Sequence, residues 1–278
     1  MLRTILVGLD GSEDCSRAVE LALAWAKPRD ACVVGFTVVD EPGILASEAI
    51  LTGEGDVSPV DPSLASEARR RVHDLMASFQ RRADAAGVRN DKLMAFGTPH
   101  ERFVGEAHRF DIVVLGKKTH FEFGWRNGSD PTLERVVQDC ARPVVVVPSS
   151  GDASGTGPII VAFDGSAHAS RALAAFEGLG LATSRIVQVV SVDRERPAAE
   201  RTAARAVEFL RYHDVDARPL PFDGEFPALE AILGATLELS ASLLVMGAYG
   251  HSQLRELLLG STTRTVLARS TVPVFCAR

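Results

Sequence analysis

Lysine is nearly missing from this chain of 278 residues: four occur, Lys27, Lys92, Lys117 and Lys118, and none beyond position 118. The second half therefore holds neither a Gly-Lys-Ser/Thr phosphate loop of Walker type nor a Schiff-base lysine. Cysteine is scarce and scattered: Cys15, Cys32, Cys140 and Cys276 form no C-x-x-C pair, which argues against a zinc site and a disulfide framework. Reduced thiols in a cytoplasm are the simplest reading. An excess of positive charge is also lacking, with 30 basic against 36 acidic residues and a net charge of −6. Neither half offers the basic surface that nucleic-acid binding needs. No apolar run approaches the length of a membrane span, and the opening Met1–Leu9 stretch meets Asp10 too soon for a signal peptide. These absences predict a soluble, cytoplasmic protein without a membrane or nucleic-acid partner.

Catalytic signatures are missing as well. No G-x-G-x-x-G follows an expected first strand, no G-x-S-x-G elbow occurs, and the seven histidines form no H-x-x-x-H or H-E-x-x-H pair. Taken singly, each histidine reads as a surface or core residue, except His251, which falls inside the candidate loop described below. No two titratable groups are placed as acid and base, so neither a catalytic residue nor a protein-held metal is expected. What remains is an ordinary globular composition, 46% hydrophobic and 24% charged, long enough for two domains or one large one.

The chain repeats itself. Ile5–Ala18 aligns without gaps on Ile159–Ala172, with eight of fourteen positions identical, where unrelated segments share about one. Both copies carry Asp-Gly-Ser, at Asp10 and Asp164, followed by Ser-Arg-Ala. A second match pairs Asp111–His120 with Ser242–His251, and each half closes on a Pro-led apolar strand at Pro143 and Pro273. The first copy has extra residues between its matches, placed in a long loop from Glu41 to Pro62. The small and polar residues 149–157 read as a linker between a domain at 1–148 and another at 158–278.

Within each copy, Val/Ile/Leu runs alternate with amphipathic segments, the pattern of βα units. Five strands are expected in the second copy, at 158–163, 185–192, 215–220, 242–247 and 272–277. Helical spacing marks Ala18, Leu21, Ala22 and Trp25, then Val72, Leu75, Met76 and Phe79, and then Phe226, Leu229, Leu233 and Leu237. Continuous apolar strands predict burial on both faces. The expectation is two tandem doubly wound α/β domains, each with a five-stranded, mostly parallel sheet flanked by helices. In such sheets ligands bind beyond the carboxyl ends of the strands.

At that edge of the second copy stands Gly247-Ala-Tyr-Gly250, nine residues, then Gly260-Ser261 opening a helical run. Glycines there let the backbone turn and approach a ligand, and a helix start favours phosphate. Ser261, Thr262 and Thr263 add hydroxyls. Glycines alone would serve a tight turn equally well, with Ser261 an N-cap; the full spacing behind a buried strand favours phosphate. Asp164 could accept from a ribose or an adenine amino group, while its motif alone reads more simply as an Asx turn or helix cap.

The spacing G-x2-G-x9-G-S, with Asp164-Gly-Ser and the final Val272-Pro-Val-Phe strand, resembles the universal stress protein family, in a tandem form similar to its ATP-binding branch. The resemblance covers nearly the whole chain. It implies an adenine nucleotide alpha hydrolase-like fold that binds ATP, with magnesium bridging the phosphates and no dedicated protein cage. By position, Gly247, Gly250, Gly260, Ser261 and Thr262 would hold the phosphates and Asp164 the ribose and adenine. The backbone near Val192 would read the adenine edge. Pairing through last strands would give an intrachain pseudo-dimer, with a homodimer also open.

The first copy departs from this pattern. Gly116 is followed by Lys117-Lys118-Thr119, so the second glycine is missing, and the gap to Gly128-Ser129 shortens to eight and fills with Phe121, Phe123, Trp125 and Arg126. Thr119 carries a Cβ where glycine is preferred. The first copy is expected to have lost tight nucleotide binding and to serve as a structural partner, with Lys117 and Lys118 in a solvated loop. Three functional classes remain: a stress-response binding and signalling module, a slow ATP-hydrolysing or phosphate-transferring enzyme, and a nucleotide-free scaffold.

Overall fold

The computed structural model describes residues 1–39, 62–121, 132–150, 156–224, 227–248 and 260–278, with side chains in the segment 62–68 left aside. The first half runs β1 (Thr4–Gly8), α1 (Glu13–Ala26), β2 (Cys32–Val39), α2 (Pro62–Ala86), β3 (Asn90–Phe96), α3 (Pro99–Ala107), β4 (Ile112–Gly116), α4 (Thr132–Asp139) and β5 (Val144–Val147). The second runs β6 (Ile159–Ala162), α5 (Ala167–Gly178), β7 (Val187–Asp193), α6 (Arg196–Tyr212), β8 (Ala217–Asp223), α7 (Ala228–Glu238), β9 (Leu243–Gly247), α8 (Ser261–Arg269) and β10 (Val274–Ala277).

All ten strands join one sheet in the order β3-β2-β1-β4-β5-β10-β9-β6-β7-β8. Within each half every pairing is parallel, while β5 and β10 meet antiparallel with Val145 opposite Phe275. The two halves are thus joined back to back through their last strands, as the intrachain pairing foresaw. The strand order reverses between β1 and β4, and again between β6 and β9, which makes the carboxyl ends of those pairs the switch-point crevices of a doubly wound sheet.

Side chains of successive strand residues fall on opposite faces. Ile5 and Val7 pack with Leu21 and Ala22 of α1, Phe79 of α2, Phe176 of α5 and Leu210 of α6 on one face. Leu6 packs with Phe103 of α3, Val136 of α4, Ile232 of α7 and Val266 of α8 on the other. Both faces are covered, so the inner strands are buried throughout, as with β4 and β5. Edge strand β8 is only partly buried and carries Pro219 and Pro221, two positions apart and so facing the same way. A proline can lie there because no further strand needs its missing N–H, and it blocks pairing with another chain.

Three expectations shift. The third strand of the second half lies at Ala217–Asp223, two to three residues beyond the expected 215–220, and it takes in Pro219 and Pro221 because it is an edge strand. The buried side of α7 is Ala231, Ile232, Ala235 and Thr236, and Leu237 is 72% exposed. In that Leu- and Ala-rich stretch several apolar stripes coexist, and the one chosen from large residues was mis-phased; Phe226 lies outside the described residues. The ends of the linker are held in place: Ser149 donates its hydroxyl to Asp14 (2.9 Å), and the Gly157 carbonyl accepts from Ser242 (2.7 Å).

Candidate functional site

The repeated Asp-Gly-Ser builds the same local structure twice. In the second half Asp164 Oδ1 accepts from the Ser166 amide at 2.9 Å, Gly165 takes φ +78°, and Ser166 caps α5 by accepting from the Ala169 amide at 3.1 Å. In the first half Asp10, Gly11 (φ +81°) and Ser12 do the same at 2.9 and 3.0 Å. The glycine is needed for its left-handed backbone, and the serine satisfies an orphan amide of the helix start. Asp164 is thus the Asx residue of a turn, and Ser166 the cap. Arg171 donates to the Arg278 carbonyl and its counterpart Arg17 to the Pro148 carbonyl, so the repeated Ser-Arg-Ala ties each first helix to the end of the last strand.

Several contacts gather the predicted site residues. Gly247, the last residue of β9, lies beneath the first turn of α5, where a Cβ would come within 2.8 Å of the His168 carbonyl carbon and 2.9 Å of the Ala169 nitrogen. Packing alone therefore requires this glycine. Next to it, the carbonyl of buried Ala248 accepts from Thr263 Oγ1 at 3.0 Å, which fixes the start of α8 against the end of β9. Gly260 is the N-cap residue of α8 and offers no side-chain bond; Ser261 and Thr262 follow as exposed helical residues. Ser261 is thus the first residue of the helix rather than its cap. The amides of Ser261, Thr262 and Thr263 precede the first intrahelical donor, Arg264, whose amide reaches the Gly260 carbonyl.

On the other side of Asp164, Ser191 donates to the Phe163 carbonyl at 2.6 Å and the Phe163 amide reaches the Val190 carbonyl at 2.9 Å. Backbone groups two residues apart on a strand point the same way. Val192 therefore aims its N–H and C=O past the end of β6, beside the half-buried Val192 side chain itself. Asp164, Val192, Gly247, Gly260, Ser261 and Thr262 thus all stand at the carboxyl edge of β6, β7 and β9. Gly250 and His251 lie outside the described residues.

His168 belongs to the same edge and was not among the residues expected there. Its Nδ1 lies 2.9 Å from Arg171 Nη2. Desolvation, then Arg171 and Arg278, hold its pKa below the usual imidazole value, with Asp164 opposing. Because a guanidinium can only donate, Nδ1 is the acceptor in this contact. The repeat held the clue: its counterpart in the aligned segment is Asp14.

The first half closes over the corresponding edge. The His120 amide donates to Asp10 Oδ2 at 2.7 Å, while Ser12 takes Oδ1 through both its amide and its hydroxyl. Buried Asp14 accepts from the Lys118 amide at 2.8 Å. Thr119 is buried, donates its hydroxyl to the Gly116 carbonyl, and does not adopt a left-handed backbone. Phe121 is fully buried against Phe103 with ring centroids 4.8 Å apart, and both rings lie over Gly8 at the end of β1. Lys118 is exposed as expected, while Lys117 is half-buried and its ammonium donates to the Ala268 carbonyl in the last turn of α8, where a cation is favoured. The residues Phe123, Trp125, Arg126, Gly128 and Ser129 lie outside the described residues.

The fold and this edge define a class: a doubly wound α/β unit duplicated within one chain, paired through its last strands, with a helix start beside the switch point. The model of the universal stress protein family matches residues 1–148 and 227–278, and the chain belongs to that family. Asp164 and Val192 fall between the two matched segments. A universal stress protein of Synechocystis sp. is 28% identical over 171 residues, 61% of this chain and 58% of that protein. The match thus spans little more than half of that curated relative. A universal stress protein structure from Archaeoglobus fulgidus superposes with a TM-score of 0.72 at 20% identity, covering 99% of this chain and 98% of the other. A functionally unknown protein from Pseudomonas aeruginosa PAO1 gives 0.61 at 15% identity, covering 99% and 92%. At these identities the structural likeness establishes the fold.

Proposed function

We propose that the second half binds an adenine nucleotide, ATP with magnesium on its phosphates, and that the chain works as a nucleotide-dependent binding and signalling module of the stress response. The observation that carries this reading is the start of α8. Among the described residues its first amides have no side-chain cap, two exposed hydroxyls stand beside them, and the helix dipole adds positive potential. With no lysine in this half, backbone and hydroxyl groups are the donors that the start of α8 offers. Asp164 is the acceptor for ribose hydroxyls, and the Val192 backbone is placed to read an adenine edge. Among the described residues no three His, Cys, Asp or Glu gather as a metal cage; phosphates and water would hold the magnesium ion.

Helix α8 also supplies a route outward. Its nine residues span about 13 Å. One end lies at the proposed phosphate site and the other accepts Lys117 of the first half, with Arg264 and Glu134 3.8 Å apart along the way. A shift of α8 on nucleotide binding would reach the seam between the halves. The first half, whose equivalent acid is occupied by His120 and Ser12, acts in this reading as the structural partner.

Calorimetric titration with magnesium-ATP tests the proposal, with one site per chain expected. Ser261→Asp is the sharper test. A carboxylate in the first turn suits the helix dipole and leaves stability equal or slightly higher, yet it repels phosphate and should abolish binding. Absence of binding to the unmodified protein at millimolar nucleotide, or undiminished binding in Ser261→Asp, refutes the proposal.

A further inference from the structure

Away from this edge, the amino ends of β1, β6 and β9, the last turn of α1 and the turn that follows α5 surround a cleft of about 790 Å³. Antiparallel joining puts the starts of β1 and β6, the third and eighth strands in the order, at opposite edges of the sheet. The twist accumulated between them brings these two ends toward one face, and the Leu2 amide meets the Leu179 carbonyl there at 3.1 Å. The volume falls in the range of small-ligand pockets. Leu2, Leu21, Trp25 and Leu181 give the cleft an apolar wall.

Its charge is one-sided, although the chain as a whole is acidic. Arg3, Lys27, Arg29 and Arg185 line it against a single acid, Asp30, and Asp30 is already paired with Arg89 at 3.2 Å. Arg29 is half-buried and donates to the carbonyls of Trp25 (3.1 Å) and Gly180 (2.7 Å); Arg185, also half-buried, donates to Ser242 Oγ at 2.7 Å. Among the described residues neither guanidinium has a carboxylate partner. Desolvation and the nearby Arg185 both push the Arg29 pKa down. Two like charges taken partly out of water without a counter-ion are costly, and an anion between them would relieve that cost.

We propose that the cleft is a second ligand site, for an amphiphilic anion whose carboxylate or phosphate head lies between Arg29 and Arg185 and whose apolar body lies against Leu2, Leu21, Trp25 and Leu181. Planar guanidinium groups suit such heads. The repeat sharpens the case. At the offset of the first match, Arg29 corresponds to Thr183 and Arg185 to Ala31. Each half contributes one arginine from a non-equivalent position, so the site exists only in the joined chain.

Trp25 provides the readout, since the chain has two tryptophans and Trp125→Phe leaves Trp25 as the sole reporter. Decyl phosphate is titrated into this full-length protein saturated with magnesium-ATP, with decanol, inorganic phosphate and anionic phospholipid vesicles as separate arms. A saturable change in Trp25 emission is expected with decyl phosphate, with the dissociation constant raised about tenfold or more in Arg29→Gln and in Arg185→Gln. Arg185→Gln should not lower the ligand-free melting temperature, because it removes a like-charge contact; that separates it from a merely structural residue. The proposal is overturned by unchanged affinity in both folded variants, or by decanol or inorganic phosphate binding as tightly as decyl phosphate. It is overturned equally by a response to vesicles alone, or by displacement of the ligand by ATP.

Discussion

The glycines that end β4 and β9 separate two explanations of the same residue. At the close of a strand that faces a nucleotide, glycine reads as a residue that lets a phosphate approach. The structure supplies a different cause. A Cβ on Gly247 would lie 2.8 and 2.9 Å from backbone atoms of His168 and Ala169, and one on Gly116 would lie 2.7 Å from Asp14 Cβ and 2.8 Å from its carbonyl carbon. Ordinary contacts begin at 3.4 Å, so alanine at either position requires strand and helix to separate by about half an ångström. Backbone cannot swing aside as a long side chain would. Overpacking of this kind costs about 1–3 kcal/mol, and a loss near 2 kcal/mol lowers the melting temperature by about 4–8 °C. Gly247→Ala and Gly116→Ala should therefore lose similar stability in urea unfolding and in thermal scans, with the second-half variant additionally weakening nucleotide binding. The ligand explanation expects otherwise: Gly116→Ala, in the half whose equivalent acid is occupied, should be silent. If Gly116→Ala stays within about 0.5 kcal/mol of the parent, the ordinary scatter of surface substitutions, the packing argument fails.

Other substitutions probe the same framework. Thr263→Val keeps the shape of a side chain that is 1% exposed but leaves the Ala248 carbonyl without its donor. The expected loss is about 1–3 kcal/mol, read by chemical unfolding, together with weaker nucleotide binding as the start of α8 loosens. The thiols give a pH signature. Burial pushes Cys276 up to about 12, and burial followed by Asp10 pushes Cys15 up to about 11, from 9.0. Because the folded chain keeps protons that the unfolded chain releases, their stabilisation is fully present below pH 9 and falls as pH rises above it. Each thiol accounts for about 1.4 kcal/mol by pH 10. Lys117, held below its usual value by burial and Lys118, acts in the opposite sense near its own pKa, so the Cys276→Ala variant isolates the thiol: its stability should decline less steeply between pH 8 and 10 than the parent's, and parallel declines would disprove the assignment. Leu237→Gln, on the exposed side of α7, should change stability by less than about 0.5 kcal/mol.

Most of this architecture was legible because the repeat and the strand pattern are local in sequence. Ile5–Val7 and Leu243–Met246 are continuous apolar runs, and strands buried on both faces have no other pattern to show. Ala18, Leu21 and Ala22 of α1 are buried as their spacing foretold. Features that escaped depend on distant partners. The edge position of β8 was needed to explain Pro219 and Pro221. The phase of α7 is set by which stripe meets β6 and β7, and its sequence offers several. The cause of Gly247 lies in α5, some eighty residues earlier. The fate of Lys117 was decided by a carbonyl on a helix of the other half, which no motif in its own loop encodes.

The asymmetry of the two crevices follows from where their substitutions fall. Duplicated Asp-Gly-Ser turns survive intact in both halves, since each caps a helix and closes a turn whether or not a ligand is present. Their retention is thus no evidence of binding. What differs lies after β4 and β9. In the first half Thr119 makes its own turn on Gly116, which carries the His120 amide to Asp10 and Phe121 into the aromatic cluster with Phe36 and Phe103. Each of these contacts stabilises the closed edge, and under the proposed nucleotide reading they would compete with a ligand at this crevice. Restoring one glycine at position 119 would remove a single buried hydroxyl bond and leave the phenylalanine cluster in place. Nucleotide binding in this half therefore should not return with Thr119→Gly alone; it requires Phe121→Ala as well, and calorimetry on the single and double variants distinguishes the two cases.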